Sequence, residues 1–212
     1  MNIKWLGHSS FLITTNKGKK ILTDPFDDTL GYTTYCGNAD IITISHNHYD
    51  HNYLHEVKGT PILIDSISNH IIGDIRITGI PSYHDDVQGL KRGPNIIFII
   101  EVDGYKLAHL GDLGHILNLD DISKLNNLDV LFIPIGGNYT LDPKEAIKLC
   151  KTLNSKIIIP MHYKTAAINL PIKGLEDFIL SIKNGEKIHS QTYTLPKKLD
   201  FQNKVIILNY LD

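Results

Sequence analysis

The sequence predicts an α/β fold in which two β-sheets pack together, with helices on the outside. Three observations lead to this prediction: short β-rich runs dominate the first half, apolar β-branched runs return in the second half, and helix signals lie between the later runs. Two sheets in contact bury their apolar faces against each other, and outer helices cover what remains. Because no Pro/Ser-rich linker or low-complexity tract interrupts the sequence, residues 1–212 are expected to form one domain.

The strands of the first half are predicted from β-branched and aromatic runs that turn residues separate. Asn16-Lys17-Gly18 and Asp103-Gly104 are typical of hairpin turns, so each is expected to join two antiparallel strands. The predicted strands of this half cover residues 2–6, 10–14, 19–23, 40–45, 61–64, 74–80, 96–102 and 105–110.

The second half combines buried strands with two helices. Asp142 is a predicted N-cap, with Pro143 in the first turn and Glu145 three residues after the cap, which predicts a helix that runs to about residue 153. A second helix is expected over residues 173–183. The strands of this half are predicted at residues 130–135, 156–160 and 204–209.

Composition narrows the classes of function. The net charge is −2 and 21% of the residues are charged, which argues against a broad basic surface for nucleic acid. Cys36 and Cys150 have no CxxC spacing and are expected to be reduced thiols. The longest apolar stretches, such as residues 96–100, are too short to span a bilayer, and no signal peptide is visible. We therefore expect a cytoplasmic protein that does not associate with membranes.

Residues 45–51, with the sequence SHNHYDH, are the most informative segment. They hold three imidazoles and one carboxylate, His46, His48, Asp50 and His51, directly after a predicted buried strand. Such close imidazoles would repel one another when protonated, whereas neutral imidazole and carboxylate are the ligands that Zn²⁺, Mn²⁺ or Fe²⁺ accept. The segment therefore predicts a metal site at the carboxyl end of a strand.

This run resembles the His-x-His-x-Asp-His signature of the metallo-β-lactamase superfamily, whose members share an αββα sandwich of two mixed sheets and outer helices. Other segments match in family order, and each ends or follows a predicted strand. The opening segments are similar to those of the small metal-dependent hydrolase branch, which includes proteins like ascorbate-6-phosphate lactonase. The matching segments are LGHSS at 6–10, LTDPF at 22–26, PSYHD at 81–85, HLGD at 109–112 and IIPMHY at 158–163.

The resemblance implies a binuclear site. A bridging carboxylate suits such a site because each of its oxygens can bind one cation, and two cations that share a water make hydroxide available near neutral pH. Two divalent ions are expected, with Zn²⁺ first and Mn²⁺ or Fe²⁺ as alternatives. Asp50 is placed to steer the water or to carry its proton, so Asp50 and Asp112 are the expected catalytic residues. The implied ligands are His46, His48 and His84 for one ion, Asp50, His51 and His162 for the other, and Asp112 between them.

Five more residues are candidates for supporting or substrate-binding roles. His8 lies either near the metals or under the sheet as a hydrogen-bonded histidine. Asp24 either orients a ligand histidine or is an ordinary turn residue. Asn138 and Tyr139 follow a buried strand and could line the pocket, although the neighbouring glycines alone would explain a turn. Lys164 could bind an anionic group, but a solvated lysine is the favoured interpretation.

The remaining polar residues are expected to be structural. His109 is predicted to lie in the core or to support the site, and Asp85 and Asp86 are predicted to be loop residues. Four histidines lack ligand spacing and are expected to be surface or structural residues: His55, His70, His115 and His189.

These observations predict a metal-dependent hydrolase in which a hydroxide bridging two metals attacks an ester, lactone or phosphoester bond of a small molecule. One alternative is a phosphodiesterase or nuclease of the same superfamily, which the slightly acidic charge disfavours. Another is a metal-binding protein without turnover, and a di-iron redox role is also conceivable. The sequence leaves the metal, the substrate and the oligomeric state open.

Overall fold

The computed structural model describes residues 1–210 and shows two mixed β-sheets. The first sheet has the strand order β13-β1-β2-β3-β4-β5, and the second has the order β12-β14-β11-β10-β9-β8-β7-β6. In chain order the strands are β1 (Asn2–Gly7), β2 (Ser10–Thr14), β3 (Lys20–Thr23), β4 (Ile41–Thr43), β5 (Ile62–Ile64), β6 (Asn69–Ile72), β7 (Ile75–Tyr83), β8 (Pro94–Val102), β9 (Tyr105–His109), β10 (Val130–Pro134), β11 (Ile157–Met161), β12 (Gly185–Lys187), β13 (Thr192–Thr194) and β14 (Lys204–Ile207).

The two sheets pack face to face around one apolar core, as predicted. Phe11 on β2 and Phe132 on β10 meet across the interface, with their ring centroids 4.4 Å apart. Side chains alternate along the strands of the first sheet. Ile21 on β3 belongs to this central core. Its neighbour Leu22 is buried on the opposite face of the sheet, where it packs with Tyr35 and other residues of the loops that follow β3 and β4.

Three α-helices lie in the second half of the described chain: α1 (Leu119–Lys124), α2 (Pro143–Leu153) and α3 (Glu176–Ile182). The predicted capping box of α2 is confirmed. Asp142 Oδ1 accepts hydrogen bonds from the backbone N–H groups of Lys144 and Glu145, each 2.9 Å long, and Glu145 Oε2 accepts the backbone N–H of Asp142 at 2.9 Å. The buried face of α2 includes Leu149 and Cys150, which belong to the central core.

Some element ends differ from the predictions for identifiable reasons. Strand β4 was expected to reach residue 45 but ends at Thr43, because the backbone N–H of Ser45 donates to Asp24 Oδ1 at 2.8 Å. Helix α3 was expected to begin at residue 173 and begins at Glu176. The backbone of Lys173 instead bonds to two loops, accepting from Lys164 N at 2.8 Å and donating to Gly136 O at 2.7 Å.

The strand directions bring several strand ends to one edge of the sandwich. In the first sheet, β1, β3 and β4 run the same way, because β1 and β3 are each antiparallel to β2 and β4 is parallel to β3. In the second sheet, β7, β9 and β11 share a direction in the same manner. The carboxyl ends of parallel strands are where functional loops usually gather. Within residues 1–210, no helix has the length and apolar character needed to cross a membrane.

Candidate metal centre

Asp112 lies at the centre of a buried cluster of histidines. Its Oδ2 atom is 3.1 Å from the Nε2 atoms of both His84 and His162, 3.4 Å from His51 Nε2 and 3.9 Å from His46 Nε2. Each of these residues follows a strand that ends at the shared edge: β4 for His46 and His51, β7 for His84, β9 for Asp112 and β11 for His162. One carboxylate oxygen therefore faces four imidazole nitrogens from both sheets.

The side chains divide into groups whose potential ligand atoms all lie within 4.8 Å of one another. Two groups share no member, and the third contains one histidine from each of them together with Asp112. This division follows the two sets of ligands that the resemblance implied, with His8 added to one set. The groups are His46, His48 and His84; His8, Asp50, His51 and His162; and His46, His51 and Asp112.

The free nitrogen atoms of this cluster fit a bound cation. His46 Nε2 and His51 Nε2 are buried and have no hydrogen-bond partner within residues 1–210. Their other ring nitrogens are held in place: His46 Nδ1 lies 2.9 Å from Ser45 Oγ, and His51 Nδ1 lies 3.0 Å from Asp24 Oδ2. A buried nitrogen without a partner is costly, whereas a metal ligand typically has one nitrogen free and the other fixed.

Asp24 organises the loop that carries the first histidines. This fully buried carboxylate accepts the backbone N–H of Ser45 at 2.8 Å, the Ser45 hydroxyl at 2.6 Å and His51 Nδ1 at 3.0 Å. Asp24 has a φ of 40°, a conformation that few residues other than glycine adopt. The structure therefore places Asp24 beside a candidate ligand, as the interpretation of an orienting residue requires.

The electrostatics of the cluster favour ionised carboxylates. Burial would raise the pKa of Asp112, but the neighbouring His162 and His51 hold that pKa well below its usual value. Burial, and then the charge of His51, lowers the pKa of His46 to about 3. His51 behaves differently: burial lowers its pKa, but Asp112, followed by other nearby carboxylates, raises it well above 6.5. A cation that binds His51 must therefore displace a proton.

The backbone of Asp112 is fixed from behind by polar groups. The amide N–H of Asp112 donates to Asn95 Oδ1 at 2.9 Å. Gly111 has a φ of +53°, and a side chain there would collide with Asn95 Oδ1 and with Ser45, so the close approach requires glycine. His109 is fully buried, with Nε2 2.8 Å from Ser9 O, and it lies outside the groups of potential ligands, as predicted.

His8 is brought into the site by the end of β1. Its Nε2 atom lies 3.2 Å from Asp50 Oδ2, and its ring centroid is 4.1 Å from that of His162. His8 is fully buried with a φ of 51°, and its Nδ1 atom has no hydrogen-bond partner in the described part of the chain. Burial, and then the charge of His162, lowers the pKa of His8 to about 4. The structure therefore places His8 among the candidate ligands.

A pocket of about 360 Å³ opens onto the cluster. Tyr139 lies in its wall, and its carbonyl oxygen is 3.0 Å from His84 Nδ1, so this residue also orients a candidate ligand. Of the three residues predicted as possible pocket or substrate contacts, Asn138 and Lys164 are not among the described residues that line the pocket. Asn138 is exposed, and Lys164 Nζ donates to Leu170 O at 3.3 Å. The lining residues are His48, Tyr49, Asp50, His84, Arg92, Asp112, Tyr139, His162 and Leu170.

Three of these lining residues, Tyr49, Arg92 and Leu170, were not predicted from the sequence. Tyr49 lies inside the histidine-rich segment and could have been found from its position alone. Arg92 comes eight residues after His84 and carries no recognisable motif. The four histidines without ligand spacing belong to no group of potential ligands within residues 1–210, as expected; they are His55, His70, His115 and His189.

The sequence of this chain is similar to those of known proteins. The family model described as "Beta-lactamase superfamily domain" matches residues 2–162. A UPF0173 metal-dependent hydrolase of Methanoregula boonei is 32% identical over 78% of this chain and 83% of its own length. The corresponding protein of Archaeoglobus fulgidus is 30% identical over 86% of this chain and 91% of its own length.

A solved structure is also similar over the full chain. It is that of a candidate Zn-dependent hydrolase of the metallo-β-lactamase superfamily from Thermotoga maritima, 35% identical, with a TM-score of 0.83 and coverage of 98% of this chain and 97% of that one. The two mixed sheets are those of the metallo-β-lactamase fold, and the histidine and aspartate cluster is able to hold metal ions. This protein therefore belongs to the β-lactamase superfamily and, within it, to the UPF0173 metal-dependent hydrolases.

Proposed function

We propose that this protein hydrolyses an ester, lactone or phosphoester bond of a small molecule at a binuclear metal centre. The observation that carries the proposal is the position of Asp112 Oδ2, which faces two histidines from each of the two separate ligand groups, at 3.1–3.9 Å. A carboxylate in that position is suited to contact two cations at once, which a single-metal site would not require.

The residues would divide between the two ions as the groups of side chains do. His46, His48 and His84 would hold one ion, and Asp50, His51 and His162 would hold the other, with Asp112 shared. Zn²⁺ is the first metal to test, because the Thermotoga maritima relative is described with it. Mn²⁺ and Fe²⁺ accept the same mixture of nitrogen and oxygen ligands.

The bound ions would supply a nucleophile, by lowering the pKa of a shared water towards neutrality, and would polarise the bond under attack. The protein side chains then have separate tasks. Asp50 lines the pocket, its carboxylate is held by His8 at 3.2 Å, and it is positioned to accept a proton from the attacking water. Tyr139 fixes the ring of His84 through its carbonyl oxygen.

The size of the pocket favours a small substrate. Its volume of about 360 Å³ lies near the lower end of the range for small-molecule sites, roughly 300–1,000 Å³. A net charge of −2 gives no general attraction for nucleic acid. These two observations favour a small molecule over a polynucleotide as the substrate.

The test is metal analysis followed by hydrolysis assays on the full chain, purified without an affinity tag or chelator. We expect about two equivalents of a transition metal per chain by elemental mass spectrometry. The metal-loaded protein is then assayed with 4-nitrophenyl acetate, γ-butyrolactone and bis(4-nitrophenyl) phosphate, the last of which reports the phosphodiesterase alternative. Chelator should abolish hydrolysis, and added Zn²⁺ or Mn²⁺ should restore it.

Two outcomes would contradict the proposal in different ways. Two tightly bound metals without hydrolysis of any of the three bond types would favour a metal-binding protein without turnover. Absence of metal binding, even after incubation with Zn²⁺ and Mn²⁺, would remove the binuclear centre itself. His70→Ala is a suitable control, because His70 lies outside the ligand groups and its Nε2 atom is 2.6 Å from Ser68 Oγ.

A further inference from the structure

We propose that Arg92 binds an oxyanion of the substrate, and that the substrate therefore carries a carboxylate or phosphate group in addition to the bond that is hydrolysed. This inference rests on the proposed hydrolase function and names the substrate class of the same site. Arg92 is half-buried and lines the same pocket as His84 and Asp112. Among the described residues, 1–210, it is the one arginine or lysine that lines this pocket.

Within residues 1–210, the guanidinium of Arg92 has no carboxylate partner. Among residues 1–210, no Asp or Glu oxygen lies within 4.0 Å of it. The two carboxylates of the pocket, Asp50 and Asp112, are instead engaged with histidines. A guanidinium presents a planar fork of N–H donors that matches a carboxylate or phosphate in bidentate geometry. The pocket therefore contains a fixed positive charge whose hydrogen-bonding groups are left for a ligand.

Tyr139 fixes the position of this guanidinium. The Arg92 Cζ atom lies 5.3 Å from the centroid of the Tyr139 ring, within the range of a cation–π interaction. The carbonyl oxygen of Tyr139 lies 3.0 Å from Nδ1 of the candidate ligand His84. One residue thus contacts both the arginine and a histidine of the metal centre. An anion bound to Arg92 would therefore sit at a defined place relative to the reacting bond.

The backbone of Arg92 is also held in place, through Asp85. The Asp85 carboxylate is 3% exposed and accepts four backbone N–H groups, from Val87 at 2.9 Å, Gly89 at 2.8 Å, Lys91 at 2.9 Å and Arg92 at 2.8 Å. These bonds close the loop between β7 and β8 around one side chain. Because the loop is ordered before any ligand arrives, binding at Arg92 avoids the entropy loss of ordering it.

The other walls suggest the shape of the ligand. Tyr49, Tyr139 and Leu170 give the pocket aromatic and aliphatic surfaces between its polar ends. The candidate metal ligands form one polar end, and Arg92 contributes the other charged group. A short molecule with a hydrolysable bond at one end and an oxyanion at the other matches this distribution.

The experiment measures binding to the metal-loaded full-length protein by isothermal titration calorimetry. The probes are linear dicarboxylates of four to seven carbons and the monocarboxylates of the same lengths. A dicarboxylate can place one group at the metals and the second at Arg92, whereas a monocarboxylate cannot occupy both. We expect at least one dicarboxylate to bind tenfold or more tightly than its monocarboxylate in the wild-type protein.

Three variants test whether Arg92 causes the tighter binding of dicarboxylates. Arg92→Met should weaken the best dicarboxylate at least tenfold and change the monocarboxylate less than twofold, and Arg92→Lys should retain part of the difference. Lys91→Met is the matched control, because Lys91 is the adjacent cation on the same loop and pairs with the exposed Asp86 at 3.2 Å. This control should leave both probes within twofold of wild type.

The inference is overturned if the wild-type protein binds neither dicarboxylates nor ω-phosphonocarboxylates more tightly than the monocarboxylates of the same lengths, or if Arg92→Met weakens all of these probes to the same extent. Repeating the titration with ω-phosphonocarboxylates of the same lengths separates the two oxyanions: tighter phosphonate binding that depends on Arg92 indicates a phosphate, and tighter dicarboxylate binding indicates a carboxylate. Failure of the hydrolase proposal is distinguishable, since it would appear as absence of hydrolysis of the ester, the lactone and the phosphodiester alike, and not as a change in these titrations.

Discussion

Asp24→Asn tests whether the buried carboxylate behind the metal centre determines which nitrogen of His51 is free. In the native structure the two Asp24 oxygens accept three hydrogen bonds, two from Ser45 and one from His51 Nδ1, at 2.6–3.0 Å. In the neutral form of His51, which is the form that binds a metal, the proton on Nδ1 is donated to Asp24, so Nε2 is available and faces Asp112 Oδ2 at 3.4 Å. An asparagine keeps one oxygen and replaces the other with an NH₂ group that can only donate.

The expected magnitude follows from these contacts. If the remaining oxygen keeps the Ser45 backbone N–H, the new NH₂ group faces His51 Nδ1, which must then accept. The proton moves to Nε2, where it blocks the metal. Loss of such an orienting partner typically lowers metal affinity by roughly 10- to 100-fold, or about 1.4–2.7 kcal/mol. A donor left unsatisfied in this buried position would also lower the free energy of unfolding by about 1–3 kcal/mol.

The assay is a competitive metal titration against a chelating indicator, combined with ¹⁵N NMR of the histidine rings to identify the tautomer of His51. We expect one of two sites to weaken in Asp24→Asn and the His51 proton to shift to Nε2. Asp40→Asn is the matched control, since Asp40 also accepts two hydrogen bonds, from Lys19 Nζ at 2.7 Å and Lys20 N at 2.9 Å, but lies outside the ligand groups. Wild-type affinity at both sites in Asp24→Asn would refute the reasoning.

Three further predictions address the same centre. Asp112→Asn should lose most activity and at least part of one metal equivalent while the circular dichroism spectrum persists, and full metal content with wild-type turnover would remove the bridging role. The pKa of His51 is raised well above 6.5 in the folded protein. Protonated His51 therefore stabilises the metal-free protein most fully below pH 6.5, and this contribution is lost as the pH rises through the raised pKa. Metal affinity should change in the opposite direction and increase with pH, with proton release visible by calorimetry in buffers of different ionisation enthalpy; affinity independent of pH between 6 and 8 would contradict this. Gly114→Ala should weaken the metal site that includes His84, because a Cβ atom at Gly114 would collide with the backbone of His84; His70→Ala serves as the comparison, and unchanged metal binding in Gly114→Ala would show that the loop relaxes.

Much of the fold follows from local patterns. The capping box at Asp142 predicted α2 to within a residue, because all of its signals lie within four positions. The edge strands β12 and β13 were missed, since each has only three residues and β12 is fully exposed, which leaves no apolar alternation to detect. Strand β6 was also missed, although Gly73-Asp74 between Ile72 and Ile75 is a recognisable hairpin turn.

The candidate ligands could be listed from the sequence because each follows an apolar strand, and a strand that ends in a histidine or aspartate is a local feature. Supporting contacts depend on which strand ends become neighbours, and that is set by the sheet order. His8 and Asp50 lie 42 positions apart and meet only because β1 and β4 end at the same edge. Arg92 reaches the pocket through a loop shaped by Asp85, and neither its side-chain direction nor its contact with Tyr139 has a sequence signal.

The arrangement of ligands at the edge of the sandwich links the chemistry of this protein to its resistance to unfolding. Each proposed ion takes two ligands from the loop after β4 of the first sheet and at least one from the second sheet, through His84 or His162. Each ion would thus cross-link the two sheets and close a loop of more than 30 residues. When the free metal concentration is 100 times the dissociation constant of a site, binding at that site adds about 2.7 kcal/mol to the free energy of unfolding. Heat resistance and catalytic capacity should therefore rise and fall together with the metal supply.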